Sequence, residues 1–301
     1  MTTRTNTSAP QKAAQGAAAP AGDGPGGVIS RRPGSAERDP VAFRRRGLMI
    51  DNSLRWGTPV LILVAWQLFA MLEILDPQFW PTPVAVFQSM VETVESGYLT
   101  SNMGRSLLRF VEGWGAGSIA GIAVGILLGT VRPARMAIEP VISAIFTVPK
   151  LALFPLLLLL FGLGEMPKVF LIALTVFVVV TISTTTAIVA IPDAMKEPLE
   201  SFGASRMQTL RHLTIPMVLP DIFNALRITT GMAVLVLVAI EMVQGASGLG
   251  FVIWNSWQVY DVERMYVGIV TMSVLGVILQ YLVLWAARMA MPWRTSGKRA
   301  S

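Results

Sequence analysis

The sequence has 301 residues and a net charge of +6, yet only 14% of its residues are charged, 53% are hydrophobic and the mean hydropathy is +0.60. That composition excludes an ordinary soluble domain and places the chain in a bilayer. With no cysteine, disulfides, thiolate nucleophiles and cysteine-ligated metals are excluded, and the basic residues form no stripe interleaved with aromatics, so nucleic acid is not an expected partner.

In chain order, residues 1–47 repeat Ala, Gly, Pro, Ser and Thr with arginine clusters and lack an apolar core of the kind a signal peptide carries. They are expected to be a disordered cytoplasmic tail. A spanning helix needs about 20 mostly apolar residues, and six segments meet that length: 56–75, 107–131, 138–161, 169–191, 222–243 and 265–287. Lipid offers no partner to an unpaired backbone amide, so these are predicted to be helices. The expected fold is an all-α polytopic membrane protein with six transmembrane helices, its membrane domain covering residues 54–293 and a short C-terminal tail 294–301. Both termini then lie on one side. Placing the tail inside also puts 19 of the 24 lysines and arginines inside, as the positive-inside bias requires. Arg105, Arg109, Lys150, Lys168 and Arg264 are left to the outer side.

Between the first two segments, Thr82 and Pro83 supply an N-cap and a first helical position, and Phe87, Met90, Val91 and Val94 recur at helical spacing up to Gly97. An amphipathic helix on the outer surface is predicted, either as a contact for an extracytoplasmic partner or lying in the lipid interface. The second segment places glycine at 113, 117, 121, 125 and 129. This four-residue repeat clears one stripe for close helix packing, static or sliding. Gly115 to Ala120 imitates a dinucleotide fingerprint, but inside a span and with no preceding strand it carries nothing.

The third segment holds Pro140, Pro149 and Pro155, which bend a helix and remove backbone donors. Lys150 beside the middle proline is a candidate, together with Pro149, to line a watery pathway through the membrane, unless it reaches back to the headgroups. Thr181 and Thr184 in the fourth segment are further pathway candidates; hydroxyls there can serve an anion or bond the preceding turn of their own helix. Glu241, ahead of Gly248-Leu249-Gly250, is expected either to pair with a basic group or to sit exposed at the interface.

Between the fourth and fifth segments lies a polar island from Glu197 to Pro216. A first short helix is predicted from Asp193 to Phe202, ended by Gly203 in a left-handed conformation. Ser205 and Gln208 form a capping box that opens a second helix, with Met207, Leu210 and Leu213 on one face and Pro216 closing it. Two capped helices exceed what connection alone requires, and they are suited to receiving a push from a soluble partner.

At Glu197-Pro198-Leu199, Gly203 and Leu213-Thr214-Ile215-Pro216 the sequence resembles the cytoplasmic signature of type I ABC importer permeases. Both internal spacings are kept, with Pro198 and Leu199 where that family carries two alanines. The segments from Val148 to Pro155 and from Phe161 to Glu165, and Glu241 with Gly248-Leu249-Gly250, extend the similarity to the nitrate, sulfonate and taurine branch. The resemblance implies that Glu197, Gly203, Ala204 and Ser205 contact an ATP-binding subunit, with Met207, Leu210 and Pro216 completing that surface. It also implies an extracytoplasmic solute-binding protein and a second permease subunit, a homodimer being expected. No cofactor or metal is expected in this chain, ATP and magnesium belonging to the partner, and the sequence carries no phosphate-binding glycine loop and a single histidine, His212. The implied function is import of a small anion, with a cationic or neutral solute as the alternative. A secondary transporter using Lys150 and Glu241 is the competing mechanism, but no inverted repeat supports it; a membrane enzyme lacks a catalytic cluster.

Overall fold

The structure is a computed structural model that describes residues 57–294. The predicted tail 1–47, Trp56 at the start of the first segment, and residues 295–301 lie outside the described residues. The chain divides into a unit ending at Leu61 and a second beginning at Ile62. The described part of the first is the opening of helix α1 (Gly57–Met71), and the second holds all the later helices.

Among the described residues the secondary structure is helical, with no strand. After α1 come α2 (Pro83–Glu95), α3 (Tyr98–Thr130), α4 (Arg132–Thr147), α5 (Phe154–Phe161) and α6 (Met166–Val189). The short helices α7 (Glu197–Ser201) and α8 (Arg206–Thr209) precede α9 (Ile215–Gln244), α10 (Leu249–Gln258) and α11 (Val262–Ala290). Four stretches are long and apolar enough to cross a membrane: α3, α6, the 39-residue helix Arg206–Gln244 and α11. The α4–α5 pair makes up to 5, and α1 is shorter.

Three expected boundaries change. Helix α3 starts at Tyr98 instead of residue 107, because its polar residues Asn102, Ser106 and Arg109 find partners across the fold. The third segment is a broken helix, with α4 and the stretch Lys150–Phe161 meeting at 91°. Val148 precedes a proline and is extended (ψ 131°), as is Pro149 (ψ 102°), since the proline ring disfavours a helical residue before it. Pro140 stays inside α4, and Pro155 falls in the first turn of α5, where no donor is missed. Pro216 does not close the second island helix. Residues Leu210–Thr214 form a π-helical turn, Ile215 N–H bonds Leu210 O, and the chain runs on into α9. The wider turn makes room for a ring that cannot donate to the carbonyl behind it.

The core is built on α3 and α6, which run parallel. The glycine stripe of α3 meets a β-branched ridge of α6: Gly113 opposite Ile172, Gly117 opposite Val176, Gly121 opposite Val180, Gly125 opposite Thr184 and Gly129 opposite Ile188. A methyl group added at these glycines would lie 2.7, 2.9, 2.9, 2.5 and 2.7 Å from the facing Cβ atoms. Each ridge residue branches at Cβ and is stiff, so the two helices interlock along their shared length. The stripe is therefore a packing surface between helices of one chain. Helix α9 packs on α6, and α10 and α11 close against α9.

Helix α2 forms as predicted, with Thr82 Oγ1 accepting from Ala85 N at 3.1 Å and Gly97 (φ +74°) following its end. Most of its predicted apolar side points away from the rest of the chain, in keeping with either expected setting, a partner contact or the lipid interface. Val86, Ser89 and Thr93 point inward, while Phe87, Val91 and Val94 are exposed. Thr93 makes this possible by donating to Ser89 O at 2.8 Å, and the outward apolar side suits lipid.

Candidate functional site

Two features carry chemistry, and they lie at opposite ends of the helices. The first is an ion cluster that joins the N-terminal parts of α3 and α6 to the C-terminal end of α9. Asn102, Ser106 and Arg109 share one face of α3, the turn before α6 supplies Glu165, and the first turn of α6 supplies Lys168. Glu241 sits one turn before the end of α9.

Arg109 is 3% exposed and all five of its donors are used. Nη1 donates to Glu241 Oε1 at 2.7 Å and to Ser247 O at 2.8 Å. Nη2 donates to Glu165 Oε1 at 2.8 Å and Ser247 Oγ at 2.9 Å, and Nε donates to Glu165 Oε2. Glu241 is fully buried and also accepts from Gly250 N at 2.9 Å and Ser106 Oγ at 2.8 Å. Ser106 Oγ in turn accepts from Leu249 N at 2.8 Å, and Asn102 Oδ1 accepts from Gly248 N at 2.8 Å. The loop before α10 is thus clamped by side chains from α3 and α9.

Glycine is required where that loop enters α10. Gly248 has φ +112°, and a Cβ there would lie 2.5 Å from Glu241 Oε2, while one on Gly250 would lie 2.6 Å from Val238 O. The choice left open for Glu241 is settled: it pairs with a basic group, Arg109, and is not exposed. Arg109 and Lys168 are 3% and 5% exposed, so both are buried in the cluster and neither is a solvated loop charge. The signal for Arg109 was legible as a polar stripe at spacings of four and three from Asn102 through Ser106 to Arg109, leading into the glycine row.

Glu165 has a 53% exposed side chain, with Lys168 Nζ at 3.5 Å. The hydrogen bond from Arg109 holds its carboxyl below the ordinary carboxylate range, against the opposing effect of burial. A carboxyl depressed in the folded state adds stability above its unfolded pKa and loses it as pH falls through the folded one. Thermal midpoints of the detergent-solubilised protein should therefore fall on acidification below about pH 4 more steeply in wild type than in Glu165→Gln; equal slopes would contradict the pairing.

The second feature is the knuckle from Asp193 to Thr214. The expected first helix is divided into a 3-10 turn, Asp193–Met195, and α7. Gly203 takes φ +72° and Ala204 N bonds Leu199 O at 2.9 Å, the six-to-one bond of a left-handed helix end. The capping box is formed: Gln208 N donates to Ser205 Oγ at 3.3 Å, and Ser205 N donates to Gln208 Oε1 at 2.7 Å. Glu197, Gly203, Ser205 and Met207 are exposed, whereas Ala204, Leu210 and Pro216 are half-buried. Phe202 is 90% exposed and Met207 69%. The sequence used Phe202 only to end a helix, and its solvent exposure was not anticipated.

The pathway candidates do not converge. Lys150 is half-buried, donates to Phe146 O and lies 4.9 Å from the Phe146 ring centre, so it caps the end of its own helix α4. Pro149 marks the break. Thr184 is fully buried against Gly125, and Thr181 lines a small cavity with Glu139, Ser143 and Thr185; neither hydroxyl has a hydrogen-bond partner. Among the described residues no group of His, Cys, Asp and Glu is arranged to hold a metal.

The family model for binding-protein-dependent transport system inner membrane components matches residues 117–289. The chain belongs to this family. The taurine transport system permease protein TauC of Escherichia coli (strain K12) is 29% identical over 246 residues, covering 80% of this chain and 90% of that protein. SsuC of Bacillus subtilis (strain 168), a permease protein named for aliphatic sulfonates transport, is 30% identical over 238 residues, covering 79% and 86%. Among solved structures, a chain of an alginate-importing bacterial ABC transporter shares the fold at a TM-score of 0.58 and 15% identity, covering 84% of this chain and 97% of that one. A chain of the inward-facing MetNI methionine ABC transporter does so at 0.53 and 22%, covering 64% and 94%.

As an inner membrane component of this kind, the protein is a multi-pass membrane permease and a transport subunit, not an enzyme. The family match begins at Gly117. Glu165, Lys168, Glu241 and the whole knuckle fall inside it, and Arg109 lies eight residues upstream.

Proposed function

We propose that this permease forms half of the translocation pathway of an ATP-driven importer for a small organic or inorganic anion such as a sulfonate, taurine or nitrate. The observation that carries this reading is the knuckle. Capped at both short helices, it holds Phe202 and Met207 out of the protein, which suits a cleft on an ATP-binding subunit. Glu197, Gly203, Ala204, Ser205, Met207, Leu210 and Pro216 supply the contact. ATP and magnesium belong to that subunit.

Counting α1 and the α4–α5 pair with the four long helices gives six crossings, with both termini in the cytoplasm as the lysine and arginine distribution favours. Leu159, Leu160 and Leu163, 84%, 68% and 83% exposed, leave an apolar surface for lipid and for a second permease copy in a homodimer. A solute-binding protein delivers the solute at the end that carries the ion cluster. The names of the taurine, sulfonate and nitrate relatives support an anionic cargo.

Gly203 tests the coupling role. A Cβ there would meet nothing within 4 Å in this chain, but φ is +72°. Gly203→Asp in the reconstituted importer is expected to cut ATP-coupled uptake at least tenfold with the membrane fold retained. Gly203→Asn tolerates the left-handed conformation, so a comparable loss there assigns the effect to the partner contact. Undiminished uptake in both variants would remove the knuckle from coupling.

A further inference from the structure

The two edges of the Arg109 guanidinium have different surroundings. One edge faces inward to Glu241, which is fully buried, and to Ser247 O. The other edge, Nε and Nη2, is closed by a single carboxylate whose side chain is 53% exposed. Lys168, itself 5% exposed, lies 3.5 Å from the same carboxylate. Two buried cations therefore share an anion that stands largely in solvent.

If that anion leaves, Arg109 and Lys168 have Glu241 as the remaining carboxylate of the cluster, which then carries an uncompensated positive charge away from water. A replacement must present two oxygens to the guanidinium fork, which matches carboxylate geometry with two parallel bonds. Nitrate and sulfonate offer the same paired oxygens. Glu165 follows Gly162-Leu163-Gly164, and a Cβ on either glycine would meet nothing within 4 Å, so the segment that carries it is not packed at these two positions. The Ser247 hydroxyl, 2.9 Å from Nη2, stays in place as a further polar group.

We propose that Arg109 and Lys168 form a receiving site for the oxyanion group of the transported solute, and that Glu165 fills this site as an internal stand-in until solute displaces it. This rests on the importer reading and adds to it a place and a chemistry of capture. The cluster is at the end of α3 and α6 remote from the knuckle, where solute enters if the knuckle faces the cytoplasm. Exchange of one carboxylate-like group for another keeps the buried charge balanced throughout. Glu165 then sets a threshold that solute must exceed, and Lys168 is a binding residue for cargo.

The test is titration of the purified full-length permease with methanesulfonate, followed by calorimetry and by thermal stabilisation. Glu165→Gln is expected to bind methanesulfonate at least tenfold more tightly than wild type, and Glu165→Asp, with a shortened reach to Arg109, to fall between them. Adding Lys168→Met to Glu165→Gln should abolish the gain. No binding in either Glu165 variant, an equal response to chloride, or a gain that survives loss of Lys168 would each overturn the proposal. Glycerol phosphate run in parallel represents a lipid headgroup, and tighter binding of it than of methanesulfonate would assign the cluster to lipid and overturn the solute site. ATP-coupled uptake by the wild-type complex is measured separately: uptake without binding defeats the site alone, and binding without coupled uptake defeats the importer reading alone.

Discussion

Arg109→Met is expected to destabilise the folded permease by about 3–5 kcal/mol, the cost of stranding one partner of a buried ion pair. Glu241 is fully buried and would keep Ser106 and Gly250 as donors but lose its directly bonded cation. The damage should spread to the loop before α10, because the carbonyl and hydroxyl of Ser247 both bond Arg109. Adding Glu241→Gln to Arg109→Met removes the stranded charge while an amide oxygen still accepts from Gly250, so the double variant should recover part of the loss. Thermal unfolding in detergent measures both. A double variant as unstable as the single one would show that the charge is not the cause.

The second large effect belongs to the glycine stripe. Gly121→Ala places a methyl group 2.9 Å from Val180 Cβ and 2.9 Å from Phe177 O, a backbone atom. Neither can give way without separating α3 from α6, and a cost of about 1–3 kcal/mol is expected for overpacking of this kind. Gly115→Ala is the internal control. It lies on the same helix with nothing within 4 Å of the added atom, and it should be neutral or gain up to about 1 kcal/mol from helix propensity. Equal behaviour of the two variants would mean that α3 and α6 do not interlock as described.

These predictions also show what the sequence made legible. Local signals were read correctly: Gly203 ends a helix left-handed, Ser205 and Gln208 cap each other, Thr82 opens α2, and the four-residue glycine repeat marks a close contact. Each depends on residues within one or two turns. The partner of the glycine stripe was out of reach, although Ile172, Val176, Val180 and Ile188 repeat at the same spacing around Thr184. The pairing of Arg109 with Glu241 joins residues 132 apart, and nothing in either neighbourhood announces the other. Charge counting gave no sign that Arg109 and Lys168 are buried, because it treats a buried and a solvated cation alike. Prolines gave bends but not their size: Pro149 turns the chain by 91°, while Pro216 is absorbed by a π turn.

ATP-driven import requires that the knuckle face a separate ATP-binding subunit in the cytoplasm. The chain has no cysteine, so Met207→Cys introduces a single reactive thiol at an exposed position outside the capping box. In the assembled importer this thiol should crosslink to the ATP-binding subunit, and in the permease alone a membrane-impermeant maleimide should label it in inside-out vesicles but not in intact spheroplasts. Labelling from the outer face, or no crosslink in an importer that transports, would contradict the account.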